Sequence, residues 1–146
     1  MTGRASQRSL GRDDPHRRNG RGRPTMARIL LVDDEDTVRG FLKRGLELDG
    51  HTVVTAIDGS DGLDRLSEAG GGFDLMLTDI RMPLMDGIAL SLAAKRDYPD
   101  LTILLMTGFA DQRERARGLD AIVTDVLTKP FSLADLRSTV TRALAA

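Results

Sequence analysis

Cysteine is absent from the 146-residue sequence, which excludes a disulfide framework, a thiolate metal site and a cysteine nucleophile. Histidine is scarce: His16 and His51 are too few for a histidine-rich metal site, and a Ser-His-Asp triad would have to use one of them. No run approaches the roughly 18 apolar residues that predict a membrane-spanning helix. The first 25 residues also lack the apolar stretch of a secretory signal. We therefore expect a soluble, cytoplasmic protein with no membrane partner.

The charge of the chain is divided between two unequal parts. Residues 1–25 contain seven arginines and two aspartates, a net charge of +5, although the whole chain has a formal net charge of only -1. Residues 26–146 contain 14 basic and 20 acidic side chains, a net charge of -6. The first part is rich in glycine and proline and has few core-forming residues, so it cannot bury enough apolar area to order itself. We expect a disordered basic arm over 1–25 and one domain over 26–146.

The basic arm has two possible interpretations. Its arginines could bind nucleic acid by releasing counterions. It has no aromatic residue, periodicity or motif, however, and Met26 stands just before the first apolar run. We favour translation starting at Met26, with the arm lying upstream of the working protein, and we do not expect a nucleic-acid partner.

Short apolar runs alternate with segments of helical length from Arg28 onward. The runs are Ile29–Val32, Thr52–Ala56, Leu75–Thr78, Ile103–Met106 and Val123–Leu127. The first three intervening segments have apolar residues at helical spacing, which we expect to face the core: Val38, Phe41, Leu42 and Leu46; Leu63 and Leu66; Ile88, Ala89, Leu92 and Ala93. This alternation predicts an α/β domain whose five-stranded, doubly wound parallel sheet is covered on both faces.

The last two helices differ in the strength of their signals. Ser132 and Asp135 form a capping box, and Phe131 is placed to pack against Leu136. The buried stripe of this last helix is predicted to be Leu133, Leu136, Val140 and Leu144. The segment between Ala110 and Gly118 is highly charged and has almost no apolar face, so we expect an exposed, mobile helix there.

Polar residues follow the predicted strands at the places where each strand ends. Asp33 and Asp34 come after the first strand, Asp79 ends the third, Thr107 follows the fourth and Lys129 follows the fifth. Ligands of doubly wound sheets bind outside the carboxyl ends of the strands. Taken singly, Asp33, Thr107 or Lys129 could each be an ordinary turn residue, and Asp86-Gly87 is interpreted as a helix-entry turn. Together, the five side chains predict one site.

The charges at this site predict its chemistry. Gathered carboxylates repel one another unless a cation compensates them, and Mg²⁺ prefers one or two carboxylates together with water and phosphate oxygens. A carboxylate beside Mg²⁺ can attack phosphorus and form an aspartyl phosphate. Asp79 is the best nucleophile because it stands alone on the central strand, whereas Asp33 and Asp34 form a pair suited to the metal. Lys129 and Thr107 can stabilise the charge on the transferring phosphoryl group.

Residues 27–146 resemble the receiver domain of two-component response regulators. Four segments in the family order and spacing carry the resemblance: Ile29–Glu35, Asp79–Gly87, Met106–Gly108 and Lys129–Phe131. The resemblance implies a flavodoxin-like fold with strand order 2-1-3-4-5 and five helices. It also implies that Asp79 accepts a phosphoryl group from a sensor histidine kinase or a histidine phosphotransfer protein.

The resemblance assigns further roles around Asp79. It implies that Asp34 and Asp79 coordinate Mg²⁺, that Asp33 acts partly through water and that the Arg81 backbone carbonyl completes the protein ligands. Lys129 would bridge to the phosphoryl group and Thr107 would move toward it. The family's enzymatic activity would be limited to self-phosphorylation and autodephosphorylation.

Two segments, Met106–Ala110 and Val126–Phe131, look like the CpdR subgroup of single-domain regulators. That subgroup primes the ClpXP protease, so the resemblance implies a ClpX-type unfoldase as a partner. The last predicted helix reaches the end of the chain, and we expect output through protein contacts alone. The sequence departs from the family at Val126, where many members carry an aromatic residue that reports phosphorylation, and at Ile122-Val123, where a small Gly-Ala pair is common. Arg81 and Phe109 stand where the family tunes phosphoryl lifetime.

Alternative functions remain open at this point. The chain could be a phosphorelay intermediate with no adaptor role. It could also be an aspartate-nucleophile phosphohydrolase of the haloacid dehalogenase type. That family needs a second aspartate two residues after the nucleophile, and Arg81 occupies this position.

Overall fold

The computed structural model describes residues 26–108 and 114–145. The arm of residues 1–25, Phe109 and the first part of the segment 110–118 lie outside the described residues. The elements are, in chain order, β1 (Arg28–Val32), α1 (Asp36–Leu48), β2 (Thr52–Ala56), α2 (Gly59–Glu68), β3 (Leu75–Asp79), α3 (Gly87–Asp97), β4 (Thr102–Thr107), β5 (Asp125–Thr128) and α4 (Leu133–Ala145). Residues 114–116 form a further helical turn between β4 and β5. None of the helices in the described ranges is long and apolar enough to cross a membrane.

The five strands form one parallel sheet in the order β2-β1-β3-β4-β5. This is the predicted 2-1-3-4-5 order. β3 lies at the centre and is buried along its whole length. The order reverses between β1 and β3, so the carboxyl ends of these two strands flank the switch point at which doubly wound folds bind ligands.

The core has two layers, one on each face of the sheet. Leu30, Val32 and Met76 point to the face covered by α2, α3 and residues 116–123. Their neighbours Leu31 and Leu77 point to the opposite face, which α1 and α4 cover. Side chains alternate between faces along a strand, so a parallel strand buried on both sides is apolar throughout. This is why the predicted strands appeared as continuous apolar runs.

Several local predictions are confirmed. Ser132 and Asp135 form the capping box: the Asp135 N–H donates to Ser132 Oγ at 2.9 Å and the Ser132 N–H donates to Asp135 Oδ2 at 3.2 Å. Asp86 is the N-cap of α3 and accepts from the Ala89 N–H at 2.8 Å. In α4, Leu136 and Val140 are fully buried, whereas Leu133 and Leu144 are half-buried at the edges of the stripe.

Three predictions of buried faces and boundaries are wrong. Phe41 is 53% exposed, because α1 packs through Leu42, Gly45 and Leu46. In α3 the buried residues are Gly87, Leu90, Ser91 and Ala94, while Leu92 is 46% exposed. α3 is apolar nearly all round, so its composition leaves the buried side undecided.

The third error concerns the last strand. β5 begins at Asp125 rather than Val123. Val123 is buried, and its N–H donates to the Leu119 carbonyl at 2.8 Å in the preceding turn. A buried turn residue and a strand residue are equally apolar, so the run by itself could not separate them.

Candidate functional site

Three aspartates meet at the carboxyl ends of β1 and β3. One carboxylate oxygen from each of Asp33, Asp34 and Asp79 lies within 4.8 Å of the others. Asp33 is completely buried, Asp79 is 7% exposed and Asp34 faces solvent. The backbone brings them together, because Val32 and Thr78 are register partners on adjacent parallel strands. The predicted grouping of the three aspartates is therefore present in the structure.

The Asp33 side chain has one satisfied oxygen and one unsatisfied oxygen. Oδ1 accepts a hydrogen bond from the Glu35 N–H at 2.8 Å, which is the turn role considered for this residue. Oδ2 is buried and has no hydrogen-bond partner in the described part of the chain. A buried carboxylate oxygen in this state is costly unless a cation approaches it. Asp33 thus serves both the turn and the acidic site.

Lys129 supplies the positive charge of the site. Its Nζ lies 3.3 Å from Asp79 Oδ1 and 3.8 Å from Asp33 Oδ2. Its backbone N–H donates to the Thr107 carbonyl at 2.7 Å, which joins the ends of β4 and β5. One ammonium group between two carboxylates leaves the cluster of three aspartates with an excess negative charge.

Burial controls the protonation of the aspartates. It raises the pKa of Asp79 to about 6 from an ordinary 3.8, and the nearby Asp33 charge adds to this while Lys129 opposes it. The pKa of Asp33 is also raised, again chiefly by burial. Both carboxylates therefore resist ionisation and would be stabilised as anions by an added cation.

The donor set fits Mg²⁺. The three carboxylates are hard oxygen ligands that lie within 4.8 Å of one another. The buried Asp33 Oδ2 accepts no hydrogen bond from the described residues, and the Lys129 ammonium approaches it only to 3.8 Å. All three carboxylates are placed where they could hold the ion, and direct coordination by Asp34 and Asp79, with Asp33 acting partly through water, stays a prediction. The Arg81 residue is exposed and lies two positions beyond β3, so a ligand role for its backbone carbonyl stays a prediction.

Thr107 occupies the end of β4 and is fully buried. It is paired in register with Thr128, the residue before Lys129. The Thr107 carbonyl accepts a hydrogen bond from the Lys129 N–H, so Thr107 lies at the same edge of the sheet as the aspartates. A role for its hydroxyl in binding a phosphoryl group stays a prediction.

The loop from β3 to α3 packs directly under Asp79. Gly87 is the contact point: its N–H donates to the Ile80 carbonyl at 2.8 Å, and a Cβ at this position would lie 2.1 Å from the Asp79 carbonyl oxygen. Asp86, which caps α3, also accepts from Arg115 at 2.5 Å. The sequence indicated the turn at Asp86-Gly87, but no local signal indicated the ion pair across 29 residues.

Arg39 also contacts the site, although no sequence motif indicated it. Its guanidinium Nη1 donates to the Asp33 carbonyl at 2.7 Å, and Nη2 pairs with Asp36. The available signal was weak: a basic residue one turn into the helix that follows the aspartate pair. Arginines at such positions are ordinary surface residues in most helices.

Comparisons with known proteins agree with this fold. The response regulator receiver domain family matches residues 29–141. The transcriptional regulatory protein PrrA of Mycobacterium tuberculosis is 37% identical over 112 residues, which are 77% of this chain and 47% of that protein. The chain thus spans about half the length of such curated relatives.

Two solved structures are similar over most of the chain. Chemotaxis protein CheY4 of Vibrio cholerae has a TM-score of 0.73 at 31% identity, covering 82% of this chain and 99% of that one. Response regulator TrrA of Thermotoga maritima, in complex with Mg²⁺-BeF, has a TM-score of 0.72 at 30% identity, covering 80% and 98%. With the sheet order and acidic cluster described above, these matches establish that the chain belongs to the response regulator receiver domains of two-component signalling.

Proposed function

We propose that the chain is a phosphorylation switch that accepts a phosphoryl group on Asp79 from a sensor histidine kinase or a histidine phosphotransfer protein. The observation that carries the proposal is the Asp79 carboxylate on the central strand, bordered by two other aspartates and 3.3 Å from the Lys129 ammonium. An ionised carboxylate is a competent nucleophile toward phosphorus. Family membership agrees with this chemistry.

The proposed reaction transfers a phosphoryl group from a histidine of the donor protein to Asp79. An Asp79 carboxylate oxygen forms a bond to phosphorus while the bond from phosphorus to the donor histidine nitrogen breaks, and the leaving imidazole takes up a proton. Bound Mg²⁺ would neutralise charge on the carboxylates and on the phosphoryl oxygens. Lys129 already contacts Asp79, so its ammonium is placed to hold the arriving phosphoryl oxygens. Thr107 lies at the end of the adjacent strand, and its hydroxyl would donate a hydrogen bond to a phosphoryl oxygen.

Acetyl phosphate provides a direct test because it needs no cognate kinase. Wild-type protein incubated with acetyl phosphate and Mg²⁺ should gain the mass of one phosphoryl group, and chelation of Mg²⁺ should prevent the gain. Asp79→Asn should take up none, and Asp34→Ala should take up much less because it loses a metal ligand. Asp64→Asn is a matched control, since Asp64 is an exposed aspartate on α2. Undiminished phosphorylation of Asp79→Asn would contradict the assignment of the acceptor.

The proposed function also includes an output: phosphorylation of Asp79 would switch the binding of a partner protein. The segment Val126–Phe131 favours a CpdR-like adaptor that contacts a ClpX-type unfoldase and loses the contact on phosphorylation. Purified unfoldase should retain Asp79→Ala and unphosphorylated protein and release phosphorylated protein. Transfer of the phosphoryl group onward to a histidine phosphotransfer protein, without unfoldase binding, would instead support a phosphorelay intermediate.

A phosphohydrolase acting on external substrates is the less favoured candidate. The position two residues after Asp79 holds Arg81, an exposed cation that cannot serve as a general acid at neutral pH. We therefore propose that enzymatic activity is confined to formation and loss of the aspartyl phosphate. Multiple turnover of p-nitrophenyl phosphate, lost in Asp79→Asn, would favour the hydrolase.

A further inference from the structure

The segment that carries two of the three aspartates is the short connection between β1 and α1. Asp33 is fixed within it by two hydrogen bonds, one from its own N–H to the Ala56 carbonyl at 3.2 Å and one from the Glu35 N–H to Oδ1 at 2.8 Å. Asp34 differs: its side chain is exposed and receives no hydrogen bond from the described residues. The position of the Asp34 carboxylate therefore depends on the peptide that joins it to Asp33.

Arg39 holds that peptide. Its Nη1 donates to the carbonyl oxygen of Asp33, the oxygen of the peptide between Asp33 and Asp34, at 2.7 Å. The Arg39 side chain is only 15% exposed, and its other terminal nitrogen pairs with Asp36 in the first turn of α1. A guanidinium group can occupy two acceptors at once in a fixed fork, which an ammonium group on a flexible stem cannot do as well.

The start of α1 offers no substitute for this contact. Glu35, the N-cap residue, makes no side-chain hydrogen bond to the helix. Asp36 is the acidic residue of the first turn, but its side chain is 89% exposed and turns toward Arg39. Among the described residues of α1, Arg39 is thus the side chain that ties the helix back to the loop.

We propose that Arg39 is a positioning residue for Mg²⁺ binding: it fixes the peptide between Asp33 and Asp34 and thereby orients the Asp34 carboxylate. This inference rests on the proposed function of the site and deepens it. Groups that orient metal ligands typically change metal affinity by about 10- to 100-fold when removed. Arg39→Gln should therefore weaken Mg²⁺ binding about tenfold.

A charge effect would have the opposite sign. Arg39 is a cation near the acidic cluster, and removing a cation from the surroundings of Mg²⁺ strengthens the attraction of the remaining carboxylates for the ion. A merely structural role would lower the thermal midpoint of unfolding and leave the Mg²⁺ dissociation constant unchanged. The direction of the change in affinity therefore separates positioning from both alternatives.

The test measures Mg²⁺ binding by titration calorimetry together with thermal unfolding of the full chain. Arg39→Gln should bind Mg²⁺ about tenfold more weakly at an unfolding midpoint close to that of wild type, and Arg39→Lys should recover part of the loss. Asp36→Asn removes the charge of the second acceptor but keeps a side-chain oxygen for Nη2 and leaves the Asp33 contact in place, so it should bind like wild type. Arg44→Gln, an exposed arginine on the same helix, controls for the loss of one positive charge.

A double variant tests the route through Asp34. If Arg39 acts by orienting Asp34, adding Arg39→Gln to Asp34→Asn should cause no further loss of affinity. Equal or tighter Mg²⁺ binding by Arg39→Gln, with wild type binding normally, overturns the inference while the proposed function stands. Failure of wild type itself to bind Mg²⁺ would overturn both.

Discussion

Removing the charge of Asp79 should stabilise the protein at neutral pH in the absence of Mg²⁺. The carboxyl group has a pKa of about 6 in the folded chain, against 3.8 for an ordinary aspartate. Because each pKa unit corresponds to about 1.36 kcal/mol, ionisation of Asp79 at neutral pH costs the fold about 3 kcal/mol. Asp79 is 7% exposed, so solvent screening reduces this figure little. Asp79→Asn keeps the shape of the side chain and removes this cost.

The sign of the pH dependence follows from the raised pKa. The unfolded chain releases the Asp79 proton near pH 3.8, whereas the folded chain retains it up to about pH 6. Between these values the folded state binds more protons, so this group lowers the stability of the wild type as the pH rises through that window. The difference between Asp79→Asn and wild type should be near zero below the window. It should grow across the window and level off above it.

Urea unfolding followed by far-ultraviolet circular dichroism, in the presence of a chelator, measures this difference. The absence of tryptophan makes circular dichroism a better probe than fluorescence. Saturating Mg²⁺ should narrow the gap, since the ion binds the wild-type site more tightly and stabilises it in proportion to the logarithm of its concentration. Asp64→Asn should match wild type throughout. A stability difference that is independent of pH, or a wild type more stable than Asp79→Asn at neutral pH, would refute the reasoning.

Two further predictions concern stability away from the carboxylates. Gly87→Ala should destabilise the fold by about 1–3 kcal/mol, because its Cβ would lie 2.1 Å from the Asp79 carbonyl oxygen, and it should also impair phosphorylation. Gly40 is an exposed residue of α1, and a Cβ there would have nothing within 4 Å. Gly40→Ala should therefore raise the free energy of unfolding by up to about 1 kcal/mol in the same urea titration. His51 accepts from the Ala27 N–H through Nδ1 at 3.1 Å, and burial lowers its pKa, so the unfolded chain binds the proton more readily. Wild type should therefore lose stability relative to His51→Gln as the pH falls below about 6.5; parallel pH profiles for the two proteins would contradict this.

The acidic site was predictable from the sequence for a simple geometric reason. Parallel strands all direct their carboxyl ends to one edge of the sheet, so residues placed just after each apolar run must gather there. The grouping of Asp34, Asp79 and Lys129 could therefore be predicted without knowing how the side chains pack. Capping at Ser132 and Asp135 was also predictable, because every partner lies within one turn of the helix.

The sequence by itself thus determined the order of the elements, the edge of the sheet that carries the chemistry and the residue types available there. The tertiary structure decided which side of α3 is buried, since its composition is apolar nearly all round, and it left Phe41 exposed. It also decided the contact of Arg39 with the Asp33 carbonyl and the pairing of Arg115 with Asp86. Periodicity and local motifs report on neighbours along the chain. The Arg115–Asp86 pair depends on how separate elements approach one another, and the Arg39 contact, although it spans only six residues, depends on the turn that the folded chain makes between β1 and α1.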